Sequence, residues 1–378
     1  MKILHVTAYY MDGMGYQENM LPKGQAELGH DVVVICGNRH PNYKHIRDER
    51  DSMPGIFYDG QVQIERLPVF AELNGRGVIF KSLLPKLYKY KPDLLFCHGI
   101  GEPIISCIIY KLLNPSVILQ MDTHSTADNS GKSMYAGLYH GFFRIILQIF
   151  KAKFSSLFAI SPETVEFMKK YYKLKEEDIS FLPLPGDGSL MEEYCSNRIK
   201  FREKYNIGEN EKVVIHTGKL PGEKLTNEVI NAFNHLQRDD VKLIICGSIE
   251  DDWKNQFYEL LGQNKNIHFL GWLPAEELRE LFVASDLLCQ PGSLSNTFLD
   301  AVCCGLPVLL ADTPQGRELT SGGNGILVST KDVKLLEEKL SNALKPEKLK
   351  ILKKNAKDAW SKYHYVNNAE QAIQDSCN

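Results

Sequence analysis

The sequence predicts an α/β protein of two successive doubly wound domains. Three observations predict it: short, uniformly apolar runs alternate with helix-like segments, the rhythm breaks once, and the 378 residues are too many for one ordinary core. The first run is Ile3–Thr7, followed by the loop MDGMG and a helix-like segment from Gln17 that stops at Gly29. Val32–Cys36, Leu94–Cys97, Val117–Leu119 and Leu157–Ile160 continue the series. The stretch FLPLPGDG (181–188), with two prolines and two glycines, reads as an interdomain connection. A second series starts at Val213: VVIHT, a helix over 226–236, LIIC (243–246), IHFL (267–270) and a helix Ala275–Ala284. DLLC (286–289), a helix near 296–304 and PVLLA (307–311) complete it. The expected domains are 1–185 and 186–355, with a C-terminal helix over 356–378 packing back on the first. Ligands of such sheets bind beyond the carboxyl ends of the strands. The two sheets are expected to face a central cleft.

Composition narrows the function classes. With 43% hydrophobic and 24% charged residues the chain is of globular type, and a net charge of −3 excludes a strong overall nucleic-acid footprint. Residues 1–185 carry 21 Lys+Arg against 19 Asp+Glu, and 186–378 carry 23 against 28. Within 80–153 nine basic residues face four acidic ones. There FKSLLPKLYKYK and HGFFRIILQIFKAKF mix cations with bulky apolar residues at helical spacing. Two readings stay open: interfacial helices touching an inner-membrane surface through 80–91 and 140–153, or amphipathic helices packed on the sheet. The nine cysteines form no CxxC pair and several lie in apolar runs, as in a reduced cytoplasmic protein. MKILHVTAYY lacks a signal-peptide core, and no segment has about 18 uninterrupted apolar residues. The expected location is cytoplasmic, with a peripheral place on the inner face of the cell membrane as the open alternative. No HxH, HExxH or DxD motif occurs, so no metal is expected.

Candidate chemistry sits just after strands. Gly218-Lys219 and Lys224 follow VVIHT; the glycine admits a ligand to the backbone, and the lysines could neutralise a diphosphate or be two solvated side chains in a turn. After DLLC, the loop Pro291–Thr297 opens a helix with small polar residues. Free N–H groups and the dipole there suit phosphate, although Ser295 or Asn296 could equally be a simple N-cap. Asp300, one turn in, could accept hydrogen bonds from a ribose diol. His98 after DLLFC could line the cleft or make a structural bond, whereas His216 inside its strand reads as structural. Trp272 could stack on a base or plug the core.

The order of these motifs carries more than any one of them. Gly218-Lys219…Lys224, LIICGS with Gly247, FLGWLPAEEL, SDLLCQP, LDAVCCGLPVL and Glu318…GILV (325–328) succeed one another. They resemble the donor domain of retaining glycosyltransferase family 4, of the GT-B fold. In the first half, the glycine loop, YQEN (16–19), GHDVVVI, DLLFCHG, DTH (122–124) and AISP fit the same family, as in bacterial members carrying YQEN. The resemblance covers almost the whole chain. It implies transfer from a nucleotide-diphosphate-sugar co-substrate, without cofactor or metal, to a glycan or lipid-linked glycan acceptor with retention of configuration, in cell-surface polysaccharide assembly. It implies that Lys219 and Lys224 hold the diphosphate, that Asp300 binds the ribose, and that Ser295, Asn296 and Thr297 contact phosphate. Gly218 and Gly247 would line the donor, Gly15 would admit donor sugar and phosphate, and His124 would face the reacting sugar. His98, Tyr16 and Glu18 would lie on the acceptor side. One departure stands out: the first glutamate of the family's pair would fall at Gly292. A GT-B nucleotide-sugar epimerase and a non-catalytic nucleotide-sugar or glycan-binding relative remain the alternative readings.

Overall fold

A computed structural model describes residues 1–41, 50–73, 77–130, 134–220, 224–262, 264–293, 297–329 and 331–375. The chain divides into two compact units, Met1–Pro185 with Tyr365–Asn378, and Gly186–His364.

In the first unit β1 (Lys2–Val6), β2 (Asp31–Gly37), β3 (Gly55–Asp59) and β4 (Val62–Leu67) join β7 (Leu94–His98), β8 (Ile118–Thr123), β9 (Ser156–Ala159) and β10 (Ser180–Phe181) in one sheet. The order is β10-β9-β8-β7-β1-β2-β4-β3, parallel except for the antiparallel edge strand β3. A separate hairpin pairs β5 (Val69–Leu73) with β6 (Gly77–Phe80). The apolar runs of β1, β2 and β7 are buried because helices cover both faces, which separate hydrophobic clusters fill. The helices are α1 (Gln17–Glu27), α2 (Leu83–Tyr90), α3 (Pro103–Leu113), the short α4 (Ala127–Ser130), α5 (Met134–Phe150) and α6 (Pro162–Tyr172). Leu83 and Leu87 turn the apolar side of α2 into the core.

The second unit is a six-stranded, wholly parallel sheet. Its strands are β11 (Lys212–Leu220), β12 (Val241–Ile249), β13 (Ile267–Gly271), β14 (Leu287–Gln290), β15 (Val308–Ala311) and β16 (Gly325–Val328), in the order β13-β12-β11-β14-β15-β16. Its helices are α7 (Tyr194–Lys204), α8 (Thr226–Leu236), α9 (Lys254–Leu261), α10 (Ala275–Ala284), α11 (Thr297–Cys303), α12 (Pro314–Leu319), α13 (Val333–Ala343) and α14 (Pro346–Ala359).

The last helix, α15 (Tyr365–Gln374), belongs to the first unit. The return falls at Tyr365 instead of 356, because α14 buries Leu349, Leu352 and Ala356 in the second unit. Helix α15 lies directly on α1: a Cβ on Gly24 would stand 2.6 Å from the Tyr365 carbonyl oxygen. Tyr365 donates to the Glu27 carboxylate at 2.8 Å, and buried Gln120 donates to the Ala372 carbonyl at 2.7 Å. We predict that Gly24→Val lowers unfolding stability by about 2 kcal/mol or more, because the clash is with backbone that cannot rotate away. Thermal unfolding checks this; an unchanged midpoint would show that α15 can lift off freely.

Candidate functional site

In the second unit the site is built where β11 and β12 end. Gly218 and Gly247 are register partners, with φ of 135° and 152°. A Cβ on Gly247 would stand 1.8 Å from the Gly218 carbonyl oxygen, so only glycine fits. A Cβ on Gly218 would meet the Lys224 side chain at 2.9 Å. Lys224 is buried and donates from Nζ to the Ser293 carbonyl at 2.7 Å, tying the β11 end to the loop after β14. Lys219 is exposed, with the Glu250 carboxylate 3.6 Å away. A pair so exposed contributes little, which leaves Lys219 able to turn to another anion.

The Thr217 and Thr297 hydroxyls, 3.2 Å apart, join β11 to the start of α11. Ser295 and Asn296 lie outside the described residues. One turn into α11, the partly buried Asp300 accepts a hydrogen bond from the Asp187 N–H at 2.9 Å. Asp187 itself faces Arg279 at 3.5 Å. Burial disfavours the charged form of Asp300 and pushes it up to about 6. The carboxylate thus sits under-solvated at the helix start. Hydroxyl donors from a ligand would favour its charged form and relieve that cost. Gly292 is buried two residues beyond β14, and the sequence has no acidic residue from Pro291 to Leu299. His216 is structural: its ring nitrogens meet the Cys289 carbonyl at 2.7 Å and the Thr226 hydroxyl at 3.0 Å. Burial, with Lys224 nearby, lowers it to about 4, so it stays neutral. Trp272 neither plugs nor packs, being 72% exposed.

In the first unit a polar chain crosses the carboxyl ends of β1, β7 and β8. The Gln25 side-chain oxygen lies 2.6 Å from His5 Nε2, His5 Nδ1 lies 2.9 Å from His98 Nε2, and His98 Nδ1 lies 2.8 Å from Asp122 Oδ2. Asp122 also accepts from the Gly99 N–H at 2.9 Å. His124 Nε2 stands 3.8 Å from the same Asp122 oxygen that His98 engages. His5 is wholly buried, and desolvation followed by the His98 charge lowers it to about 3. It is therefore neutral, so one of its ring nitrogens donates and the other accepts. Burial opposes a charge on Asp122, but the His98 charge and bonds from His124 and His98 outweigh it and hold the carboxyl well below its usual range. For His124, burial pulls down while Asp122 and then Glu18 pull up, and the net shift is upward.

The structure thus assembles Gly218, Lys224, Gly247, Thr297 and Asp300 in one unit, with Lys219 beside them. It joins His98, Asp122 and His124 in the other, with Glu18 close enough to act on His124. Tyr16 takes the N-cap position of α1, with its carbonyl accepting from Asn19 and Met20. Gly15 is exposed with open space where a Cβ would stand, so nothing in the chain itself demands glycine there. His5, Gln25, Asp122 and Asp187 escaped the sequence reading. For His5 the available signal was a polar residue inside the otherwise apolar run of β1, whereas Gln25 in the polar α1 and Asp187 in the connection carried none.

Asp300 yields a pH prediction. Its folded value lies above the unfolded one, so the ionised group costs stability above about pH 6, and the cost disappears as pH falls below about 4. Asp300→Asn should raise stability by roughly 1–3 kcal/mol at pH 7.5 and by nearly nothing at pH 4. Equal effects at both pH values in urea titrations would remove the buried-charge account.

Comparison with known proteins adds the family. Residues 12–187 match the model of Glycosyltransferase Family 4, and residues 197–359 match that of Glycosyl transferases group 1. An uncharacterized glycosyltransferase of Methanocaldococcus jannaschii is 26% identical, over 99% of this chain and 97% of its own. The structure of HepE of Anabaena in complex with UDP superposes with a TM-score of 0.71 at 16% identity, covering 99% of both chains. That of WaaG, a glycosyltransferase involved in lipopolysaccharide biosynthesis, gives 0.64 at 18% identity, again over 99% of both. With both halves matched in order on this pair of Rossmann-like units, the chain belongs to the glycosyltransferases of GT-B fold.

Proposed function

We propose that the chain transfers a sugar from a nucleotide diphosphate sugar to a glycan or lipid-linked glycan, with retention and without a metal ion. The observation that carries the reading is the set of Gly218, Lys219 and Lys224 at and after the end of β11, with Thr297 and Asp300 in the first turns of α11, the two parts tied by the Lys224–Ser293 and Thr217–Thr297 bonds. The glycine pair clears backbone for a diphosphate, the lysines and the first N–H groups of α11 meet its charge, and Asp300 takes the ribose hydroxyls. HepE, solved with UDP and with UDP-glucose, supports a nucleotide sugar as the donor. The involvement of WaaG in lipopolysaccharide biosynthesis is consistent with a lipid-linked glycan acceptor. Cell-surface polysaccharide assembly is the setting this implies.

In the transfer, the acceptor oxygen bonds to the anomeric carbon as the carbon–oxygen bond to the diphosphate breaks. A donor phosphate oxygen takes the acceptor proton. Lys219 and Lys224 stabilise the charge that grows on the departing diphosphate, which is where preorganised charge lowers a barrier most. His124, held by Asp122, orients the reacting sugar, and Gly15 leaves room for it. Tyr16, Glu18 and His98 belong to the acceptor side.

Product analysis tests the reading. Incubation with donor and acceptor should give a glycoside of unchanged anomeric configuration; an epimerised sugar from donor alone would favour an epimerase, and binding without any turnover a glycan-binding relative. Lys219→Ala should cut kcat by about 10²-fold or more with the acceptor KM nearly kept. His124→Ala should abolish transfer while donor binding persists. Full activity in either variant would remove the role assigned to that residue.

A further inference from the structure

Helix α5 is apolar on two opposite sides. Its inner side buries His140, Phe143 and Leu147 in the first unit. Its outer side presents Leu138, Phe142, Ile145 and Ile149, which are 71%, 53%, 58% and 65% exposed. Their spacing of four, three and four residues places all four along one line, a stripe of about 16 Å. Surface helices normally reserve that outer side for polar residues, and scattered apolar exposure does not fall on one line. After α5 the chain continues through the turn Lys151–Lys153, where a groove of about 370 Å³ is lined by Lys111, Leu112, Ala152, Lys153 and Phe154. Leu112 and Leu113, at the end of α3, add further exposed apolar surface beside it.

Apart from Asp178, which pairs with Lys151, the charges named on this surface are positive. Helix α5 contains Arg144 and no acidic residue. Lys111 donates to the Pro115 and Val117 carbonyls at 2.7 and 2.5 Å, and burial together with the nearby Lys153 charge lowers its pKa. Among the described residues no carboxylate pairs with Lys111, Arg144 or Lys153, whereas Lys151 is already neutralised by Asp178. Two unneutralised ammonium groups in a shared groove attract an anion. A second copy of the same face would bring cation against cation, which opposes a self-paired dimer.

We propose that the outer face of α5, with the end of α3 and the Lys111–Lys153 groove, docks on an anionic phospholipid bilayer. The stripe enters the boundary between headgroups and acyl chains, and a lipid phosphate sits in the groove. The apolar and cationic parts act together, because either alone gives weak, reversible adsorption. No helix among the described residues is long and apolar enough to cross a membrane, so the attachment is peripheral.

Sedimentation of the purified full chain with vesicles tests this. Vesicles of phosphatidylcholine with phosphatidylglycerol should carry the protein down, and vesicles of phosphatidylcholine alone should not. About 0.5 M NaCl should weaken the binding, since it screens the lysines. Phe142→Gln with Ile145→Gln should reduce the bound fraction about tenfold or more. Lys153→Gln should reduce it severalfold. Circular dichroism and the melting midpoint should stay unchanged in these variants, as the altered side chains point outward. Equal binding of wild type and variants, or no binding to anionic vesicles, overturns the proposal. So does a dimer in analytical ultracentrifugation that the Phe142/Ile145 variant dissociates, which would assign the stripe to a second copy.

Discussion

The close approach of two backbones, Gly218 against Gly247, is the constraint on which the donor half depends. With 1.8 Å between a hypothetical Gly247 Cβ and the Gly218 oxygen, any side chain would push β12 from β11 at the end where the sheet opens. That contact brings the two strands together just before Lys219 emerges. Lys224 then folds over Gly218 and binds the Ser293 carbonyl, and Thr217 meets Thr297. The opening turn of α11, and with it Asp300, is positioned by these few links. The central strands beneath, β11, β12 and β14, are largely buried and close-packed, so their ends hold their spacing.

The two units present different chemistry. The second gathers lysines, helix N–H groups and one strained carboxylate, a set suited to a ligand with both phosphate and hydroxyl groups. The first holds a buried Gln–His–His–Asp chain that ends at His124. There the anchoring group is the Asp122 carboxylate, whose charge survives complete burial because His98, His124 and the Gly99 N–H surround it. Removing that carboxylate would leave His98 facing an empty acceptor position, a costly state in the interior.

Much of this was legible in the sequence. The uniformly apolar runs of Val32–Cys36, Leu243–Cys246 and Leu287–Cys289 declare parallel strands, because only buried strands dispense with alternation. Gly218, Lys219 and Lys224 declare themselves by falling just after one. The edge strand β3 and the β5–β6 hairpin went unread: exposed residues such as Ile56, Tyr58 and Phe70 blur the period that marks a strand. The return point at Tyr365 was displaced because α14 and α15 are both amphipathic, and only packing decides which unit each buries in. Asp300's partner Asp187 lies 113 residues away, a pairing that no local pattern encodes. The same holds for His5 and His98, 93 residues apart.

The most direct test of the central claim is calorimetric titration of the chain with UDP-, GDP- and ADP-sugars at pH 7.5 and pH 5. The account predicts that one nucleotide class binds, that affinity falls at pH 5 as Asp300 takes up a proton, and that Asp300→Ala binds weakly at both. Absence of binding by every nucleotide sugar at pH 7.5, or binding indifferent to Asp300, would contradict it.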